Sequence, residues 1–441
     1  MPALRRSSRI LAASVSAVAV VVACATFGAA AVSADPVVPT PTAGPPSTPD
    51  TERCPYRTSP AAAVDTSEVP PSGQTAPAPL PVPDPPVGGE KLGACGVVTA
   101  GNAASIPRGI TSAGWLVADA GTGAVLAAKD PHGRYRPAST IKTLLALVAL
   151  DELDLDTTVT GTRADYSMEG DSAGIGPDGR YTVRQLLQGL LMVSGNDCAN
   201  ALARELGGYE VAVRKMNEMA HRLGAEDTRA ASPSGLDAPG MSTSPYDLAL
   251  IFRAALKDST FRDLISHVNA PFPGYPPLAD VPNDKPHPGY MMQTQNRLLL
   301  DDYPGIIGGK TGYTDDARKT FVGAVERSGR TLIVVQMYGL NEVDDSYWDQ
   351  AKGLLELGFG IPTGESVGRL VDETTSDSSA SDPSAGRASS GDGHSGAVAY
   401  PSSEDGASGS PWTDRLLFGG IGLVVILGLV YAALRVNRRS R

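Results

Sequence analysis

Apolar and polar positions change period along the middle of this chain. Trp115-Leu116-Val117-Ala118-Asp119 and Ala124-Val125-Leu126-Ala127 flank Ala120-Gly121-Thr122-Gly123, which predicts two strands joined by a tight turn. A similar pair lies late in the chain, Thr320 to Glu326 and Thr331 to Tyr338 around Arg327-Ser328-Gly329-Arg330. Between the pairs the pattern is helical. Thr140 to Leu150 is almost wholly apolar, which predicts a helix through the middle of the core. Val183 to Met192 predicts a second helix, with Thr182 as its N-cap. Asp197 to Leu206 predicts a third, stopped by Gly207-Gly208. Val211 to Leu223 predicts a fourth, with Val213, Met216, Met219, Ala220 and Leu223 on one side. A last helix is expected over about Tyr347 to Phe359. Strands at both ends with helices between them predict an α+β fold, its sheet assembled from N- and C-terminal segments around a helical insert.

The flanks read differently from this body, which is expected to span residues 96–361. Residues 1–34 read as an export signal: Arg5, Arg6 and Arg9, then the apolar run Ile10 to Ala23, then small residues at Val32-Ser33-Ala34. An uncleaved anchor, or a lipoprotein box ending at Cys24, are the alternatives. Residues 35–95 are rich in Pro, Thr, Ser and Ala, and are expected as an extended or disordered linker. Residues 362–415 are dense in Ser, Gly and Asp, and are expected as a disordered stalk. Leu416 to Leu434 carries no charge and no proline, enough to span a hydrocarbon core of roughly 30 Å as one transmembrane helix. Arg435, Arg438, Arg439 and Arg441 follow, which places the basic tail 435–441 in the cytoplasm. The body is then expected outside the membrane. Cys54 and Cys95 can pair in an oxidising compartment, although sequence does not fix the pairing. Cys198, inside an apolar helical pattern, is expected as a buried free thiol.

Composition narrows the function classes. Lys+Arg 37 against Asp+Glu 48 gives a net charge of −11, which argues against nucleic acid as a partner. Hydrophobic residues at 41% exclude a wholly disordered chain and, with 19% charged residues, a polytopic membrane protein. The five histidines are scattered, with no His-Glu-x-x-His, so no metal site and no cofactor are expected.

Three short segments carry candidate chemistry. In Ser139-Thr140-Ile141-Lys142, positions i and i+3 share one helix face, so Lys142 lies one turn below the Ser139 hydroxyl. A serine needs a base to become a nucleophile, and a lysine can serve if burial lowers its pKa. The same letters also describe an N-capped helix with a surface lysine, but the apolar run around Lys142 disfavours a surface position. Ser194-Gly195-Asn196 sits between two predicted helices and reads equally as a turn. Gly308-Gly309-Lys310-Thr311-Gly312-Tyr313 lies just before the last two predicted strands and reads either as a ligand-binding segment or as a glycine-rich turn with one exposed lysine. Its glycines allow a ligand near the backbone, and Lys310 can bind a carboxylate. The phosphate-loop spacing is not met.

Ser-x-x-Lys, Ser-x-Asn and Lys-Thr-Gly, in this order, form the active-site set of penicillin-binding proteins and class A β-lactamases. From about Gly114 to Phe359 the sequence resembles the serine-type D-alanyl-D-alanine carboxypeptidases, the low-molecular-mass penicillin-binding proteins. Pro137-Ala138-Ser139, Ser194-Gly195-Asn196-Asp197, Pro233-Ser234-Gly235-Leu236-Asp237, Tyr246-Asp247-Leu248-Ala249 and Asn296-Arg297-Leu298-Leu299 extend the likeness. The resemblance implies a β-lactamase/transpeptidase-like fold with an antiparallel sheet and a helical subdomain. It implies Ser139 as acylated nucleophile, Lys142 as base, Ser194 as proton relay and Asn196 as orienting group. Lys310 and Thr311, with Gly312 and Tyr313, are implied for substrate binding, and the N–H groups of Ser139 and Tyr313 for an oxyanion hole. Its substrate is the peptidoglycan stem peptide, its covalent inhibitors are β-lactams, and its place is the bacterial plasma membrane. The chain departs from the family in lacking a β-rich domain after the body and in its spanning, rather than amphipathic, last segment. A class A-like β-lactamase is the nearest alternative, but Ala230 to Met241 offers only Asp237 where a glutamate is needed. A non-catalytic stem-peptide-binding module is the other.

Overall fold

The computed structural model describes residues 47–101, 106–340 and 346–372. The expected export signal, spanning segment and basic tail lie outside the described residues, as do residues 373–415 of the expected stalk. Among the described residues no helix is long and apolar enough to cross a membrane.

The first strands are β1 (Val97–Thr99), β2 (Gly114–Asp119) and β3 (Ala124–Lys129). A 3-10 turn, Ala138–Ile141, runs directly into α1 (Lys142–Glu152). The helical region follows: β4 (Thr158–Thr160), α2 (Arg163–Tyr166), β5 (Arg180–Thr182), α3 (Val183–Met192), α4 (Asn196–Glu205) and α5 (Tyr209–Arg222). Next come α6 (Pro245–Ala255), α7 (Ser259–Ser266), the paired β6 (Asn269–Phe272) and β7 (Tyr290–Gln293), and α8 (Arg297–Leu300). The chain then returns as β8 (Ile306–Thr314), β9 (Arg318–Arg327) and β10 (Arg330–Gly339), followed by α9 (Ser346–Gly360) and the short β11 (Gly368–Arg369).

The main sheet is antiparallel in every pair, in the order β1, β3, β2, β10, β9, β8, with β11 also pairing with β3. The two chain ends meet at its centre, where Val334 of β10 faces Val117 of β2 on one side and Gly323 of β9 on the other. This is the predicted α+β architecture. The helix α1 is buried almost all round, with Leu144, Leu145, Ala146 and Ala149 fully inaccessible. Each leucine so placed contributes about 1.5–3 kcal/mol over an exposed one. The predicted cap of α3 is a capping box: Thr182 Oγ1 accepts from Gln185 N–H, and Gln185 Oε1 accepts from Thr182 N–H.

Three expectations need correction. The Lys-Thr-Gly segment is not a turn but part of β8 at the sheet edge. Its glycines permit close strand pairing, since a Cβ at Gly309 would lie 2.5 Å from Val322 O. The body also ends later than residue 361: Val367 and Leu370 are buried, and Val367 and Leu370 donate to Val125 O and Gly123 O. Finally, residues 47–95 have little regular structure but lie against the domain as a strap. Arg134, with its side chain 1% exposed, donates to the carbonyls of Thr58, Leu80 and Pro81. A proline-rich segment cannot form its own core, but its free carbonyls satisfy a buried guanidinium. A disulfide between Cys54 and Cys95 ties the strap, and Cys198 is a buried free thiol.

Candidate active site

The site forms where the 3-10 turn, the α3–α4 junction and β8 converge. A cleft of about 400 Å³ is lined there by Ser139, Ser194, Asn196, Thr311, Gly312 and Tyr313, among others. Six of the eight residues singled out in the sequence thus share one cavity wall. The other two, Lys142 and Lys310, are buried behind it.

Ser139 sits in the turn that opens α1. Its predecessor Ala138 is fully buried with φ 47°, a left-handed conformation that is strained for a residue with a Cβ. Two glycines make room for this turn. A Cβ on Gly235 would lie 2.0 Å from Ala138 O, and one on Gly312 would lie 2.9 Å from Ser139 N. The loop 232–237 and the strand β8 are therefore pressed against the Ser139 turn from two sides. From below, Pro137 O accepts from Thr140 Oγ1 at 2.6 Å and from Thr320 Oγ1 at 2.8 Å.

Lys142 is inaccessible to solvent. Its Nζ lies 2.7 Å from Ser139 Oγ, 2.7 Å from Asn196 Oδ1 and 2.6 Å from Ser234 O. Burial, and then the nearby Lys310, push this amine well below its ordinary pKa. The two carbonyl oxygens can only accept. In its neutral form the amine donates both N–H groups to them, which leaves its lone pair for the Ser139 hydroxyl. Lys310 is itself buried and held down to about 7 by burial, and its Nζ donates to Thr311 O at 2.7 Å. Its first effect on the site is electrostatic: it disfavours a proton on Lys142.

The second motif is braced by residues the sequence did not single out. Asn196 Nδ2 donates to Glu169 O at 2.6 Å, and Asn196 N to Asp171 O at 2.7 Å. Asp197, 1% exposed, accepts from Ser172 Oγ and from the N–H groups of Ala173, Gly174, Ile175 and Cys198. Ser194, also buried, has φ 63° and opens onto the cleft. On β8, Thr311 Oγ1 donates to Gln295 Oε1 at 3.2 Å, while Tyr313 is 56% exposed. Ser234 is the other functional group missed. It acts through its carbonyl, which no side-chain pattern reveals; Gly235 beside it was the available signal.

His132, Asp227 and Asp247 bring ligand-type atoms within 4.8 Å of one another. These atoms are committed elsewhere. His132 bonds Asp227 and Val87 O, Arg134 bonds Asp227, and Asp247 accepts from Thr228 and from Asp227 N–H. The cluster reads as a structural network that clasps the strap.

A serine hydroxyl against a buried lysine whose pKa is pushed well down by burial and by Lys310, beside an open cleft, is the arrangement of a serine–lysine acyl-transfer enzyme. Comparison with known proteins makes the class specific. The family profile described as D-alanyl-D-alanine carboxypeptidase matches residues 100–340, more than half of the chain. The chain belongs to this family of hydrolases. It is 50% identical over 259 residues to the D-alanyl-D-alanine carboxypeptidase DacB2 of Mycobacterium tuberculosis, covering 58% of this chain and 85% of that protein. It is 30% identical to DacF of Bacillus subtilis over 48% of this chain and 54% of that one. The crystal structure of the D-alanyl-D-alanine carboxypeptidase from M. tuberculosis H37Rv superposes with a TM-score of 0.56 at 47% identity, covering 62% of this chain and all of that one. The DD-transpeptidase of Streptomyces K15 superposes with a TM-score of 0.52 at 29% identity, covering 57% and 98%.

Proposed function

We propose that this chain releases the terminal D-alanine from peptidoglycan pentapeptide stems through an acyl-enzyme on Ser139, and that penicillin acylates the same hydroxyl. The observation that carries this reading is the 2.7 Å approach of the buried Lys142 Nζ to Ser139 Oγ, with Asn196 Oδ1 and Ser234 O as its two other hydrogen-bond partners.

In acylation, Lys142 takes the Ser139 proton as Oγ attacks the carbonyl of the penultimate D-alanine. The oxyanion is met by the N–H groups of Ser139 and Tyr313; a donor of this kind contributes roughly 3–4 kcal/mol. Ser194 gives its proton to the departing amine and is reprotonated by the Lys142 ammonium, the peptide C–N bond breaks, D-alanine leaves, and Lys142 is neutral again. Water then attacks the ester, Lys142 takes its proton, and Ser139 is regenerated. In this reading Thr311 meets the substrate carboxylate from the cleft wall, the buried Lys310 behind it adds positive charge, and Gly312 lets the peptide approach β8. No cofactor enters any of these steps. We place the enzyme on the outer face of the plasma membrane, held by the segment 416–434 and acting on the wall.

A class A-like β-lactamase is less well supported. In the 230–241 loop the one carboxyl, Asp237, packs toward Thr314 and Arg136 and does not line the cleft. The test is labelling with a fluorescent penicillin together with D-alanine release from a synthetic stem pentapeptide. Both should be present in the wild type and lost, by at least ~1000-fold, in Ser139→Ala. A wild type that takes label but releases no D-alanine contradicts the carboxypeptidase reading.

A further inference from the structure

The strap lies outside the family match, which begins at residue 100, yet it reaches the segments that build the site. Arg136 stands three positions before the nucleophile and is 3% exposed. Its Nε donates to Glu68 Oε1 at 2.5 Å, and its Nη2 donates to Glu68 Oε2 and to Ala61 O, both at 2.8 Å. This is a two-point fork, the geometry in which a guanidinium fixes direction as well as charge. The next residue, Pro137, has a ring-locked φ and supplies the carbonyl on which Thr140 and Thr320 converge. The orientation of Arg136 thus passes to the Ser139 turn through a stiff link.

The same stretch of strap holds the other wall. Val64 N–H donates to Asp316 Oδ1 at 2.6 Å, and Asp316, 5% exposed, lies in the turn between β8 and β9. Between these anchors sits Asp237, in the loop whose Ser234 carbonyl takes a hydrogen from Lys142. Its Oδ1 is buried and has no partner among the described residues. Burial raises this carboxyl to about 6; Thr314 and Arg136 oppose the rise, whereas Asp316 and Glu68 add to it.

We propose that Glu68 is a positioning residue for acylation, acting through Arg136 to hold the turn that presents Ser139 to the substrate. The segment 61–68 is then a working part of the active site rather than a spacer. With glutamine at position 68 one neutral amide oxygen replaces two carboxylate oxygens, so among the described residues Arg136 keeps at most a single uncharged bond there beside the Ala61 carbonyl, and the charged fork that orients it is lost. Small displacements of a nucleophile are costly, because reaction needs near-attack geometry.

This inference rests on the acyl-enzyme reading, and the experiment separates the two. The full-length chain, purified in detergent, is compared with Glu68→Gln for acylation by a fluorescent penicillin, resolved into a binding constant and a first-order acylation rate. The acylation rate is expected to fall about tenfold, with the binding constant nearly unchanged. Glu68→Asp, which keeps the charge, should recover part of the rate. Arg136→Gln combined with Glu68→Gln should be no slower than Arg136→Gln alone, since Glu68 works through that side chain. Thr182→Ala, which removes a remote helix cap, controls for lowered stability and should leave the acylation rate intact. A wild-type acylation rate in Glu68→Gln overturns the proposal, as does an equal rate loss in Thr182→Ala or full additivity with Arg136→Gln. A wild type that takes no label overturns the acyl-enzyme reading and this inference with it.

Discussion

Replacing Asn196 with aspartate changes one amide nitrogen to oxygen at nearly constant volume, and it puts a formal charge at a known distance from the base. Asn196 Oδ1 lies 2.7 Å from Lys142 Nζ, and both groups are buried. At an effective dielectric of about 20, unit charges at that separation attract by about 6 kcal/mol. At 1.36 kcal/mol per unit this is an upper bound of about four pKa units on Lys142, reduced by the cost of burying the new carboxylate. The sign is unambiguous. Burial and Lys310 lower the Lys142 pKa in the wild type, and an adjacent carboxylate raises it, so the variant's lysine holds its proton to higher pH than the wild type's. An ammonium has no lone pair for the Ser139 proton. Acylation by fluorescent penicillin at pH 7 should therefore fall at least 100-fold in Asn196→Asp, and recover as pH rises toward the ordinary lysine range. The rate should be followed from pH 5 to 10, with a melting curve to confirm folding. A folded Asn196→Asp protein that acylates at the wild-type rate at pH 7 would refute a neutral Lys142 as the base.

Other substitutions probe the remaining parts. Lys310→Met removes the neighbouring cation that helps depress Lys142, so the acid limb of the pH–acylation profile should move to higher pH; no movement, or a downward one, contradicts the coupling. Gly235→Ala places a Cβ 2.0 Å from Ala138 O at a residue with φ +86°. It should slow acylation more than ~100-fold by parting the 232–237 loop from the nucleophile turn, and near-normal labelling would show that the contact can relax. Asp197→Ala strips five donors of their acceptor in the buried bracket around residues 172–175. It should lower urea-derived stability by about 3 kcal/mol, and a loss below ~1 kcal/mol would mean that water replaces the carboxylate.

What was legible in the sequence was the chemistry carried by side chains at fixed spacing. Ser139 and Lys142 meet because the chain turns into α1 between them, and the apolar run that follows announces that Lys142 is buried. Thr182 announces the start of α3 in the same local way. What was not legible depends on partners far along the chain. The strand β8 looks like a turn because glycine lowers strand propensity, but those glycines let it pair closely with β9 and pass Ser139. The Ser234 carbonyl is a backbone group, common to every residue, so only the fold makes it an acceptor for Lys142. The strap shows this most sharply. Composition says that residues 47–95 cannot pack on themselves, and that holds, since they contain no strand or α-helix before β1. Composition does not say that Arg134 and Arg136, two positions apart on one extended segment, will be buried with side chains pointing the same way. Two buried guanidiniums demand acceptors, and the nearest chain rich in unpaired carbonyls is the proline-rich one. A segment that reads as a spacer is thereby drawn onto the domain, and its Glu68 is fixed by the buried Arg136, three positions before Ser139.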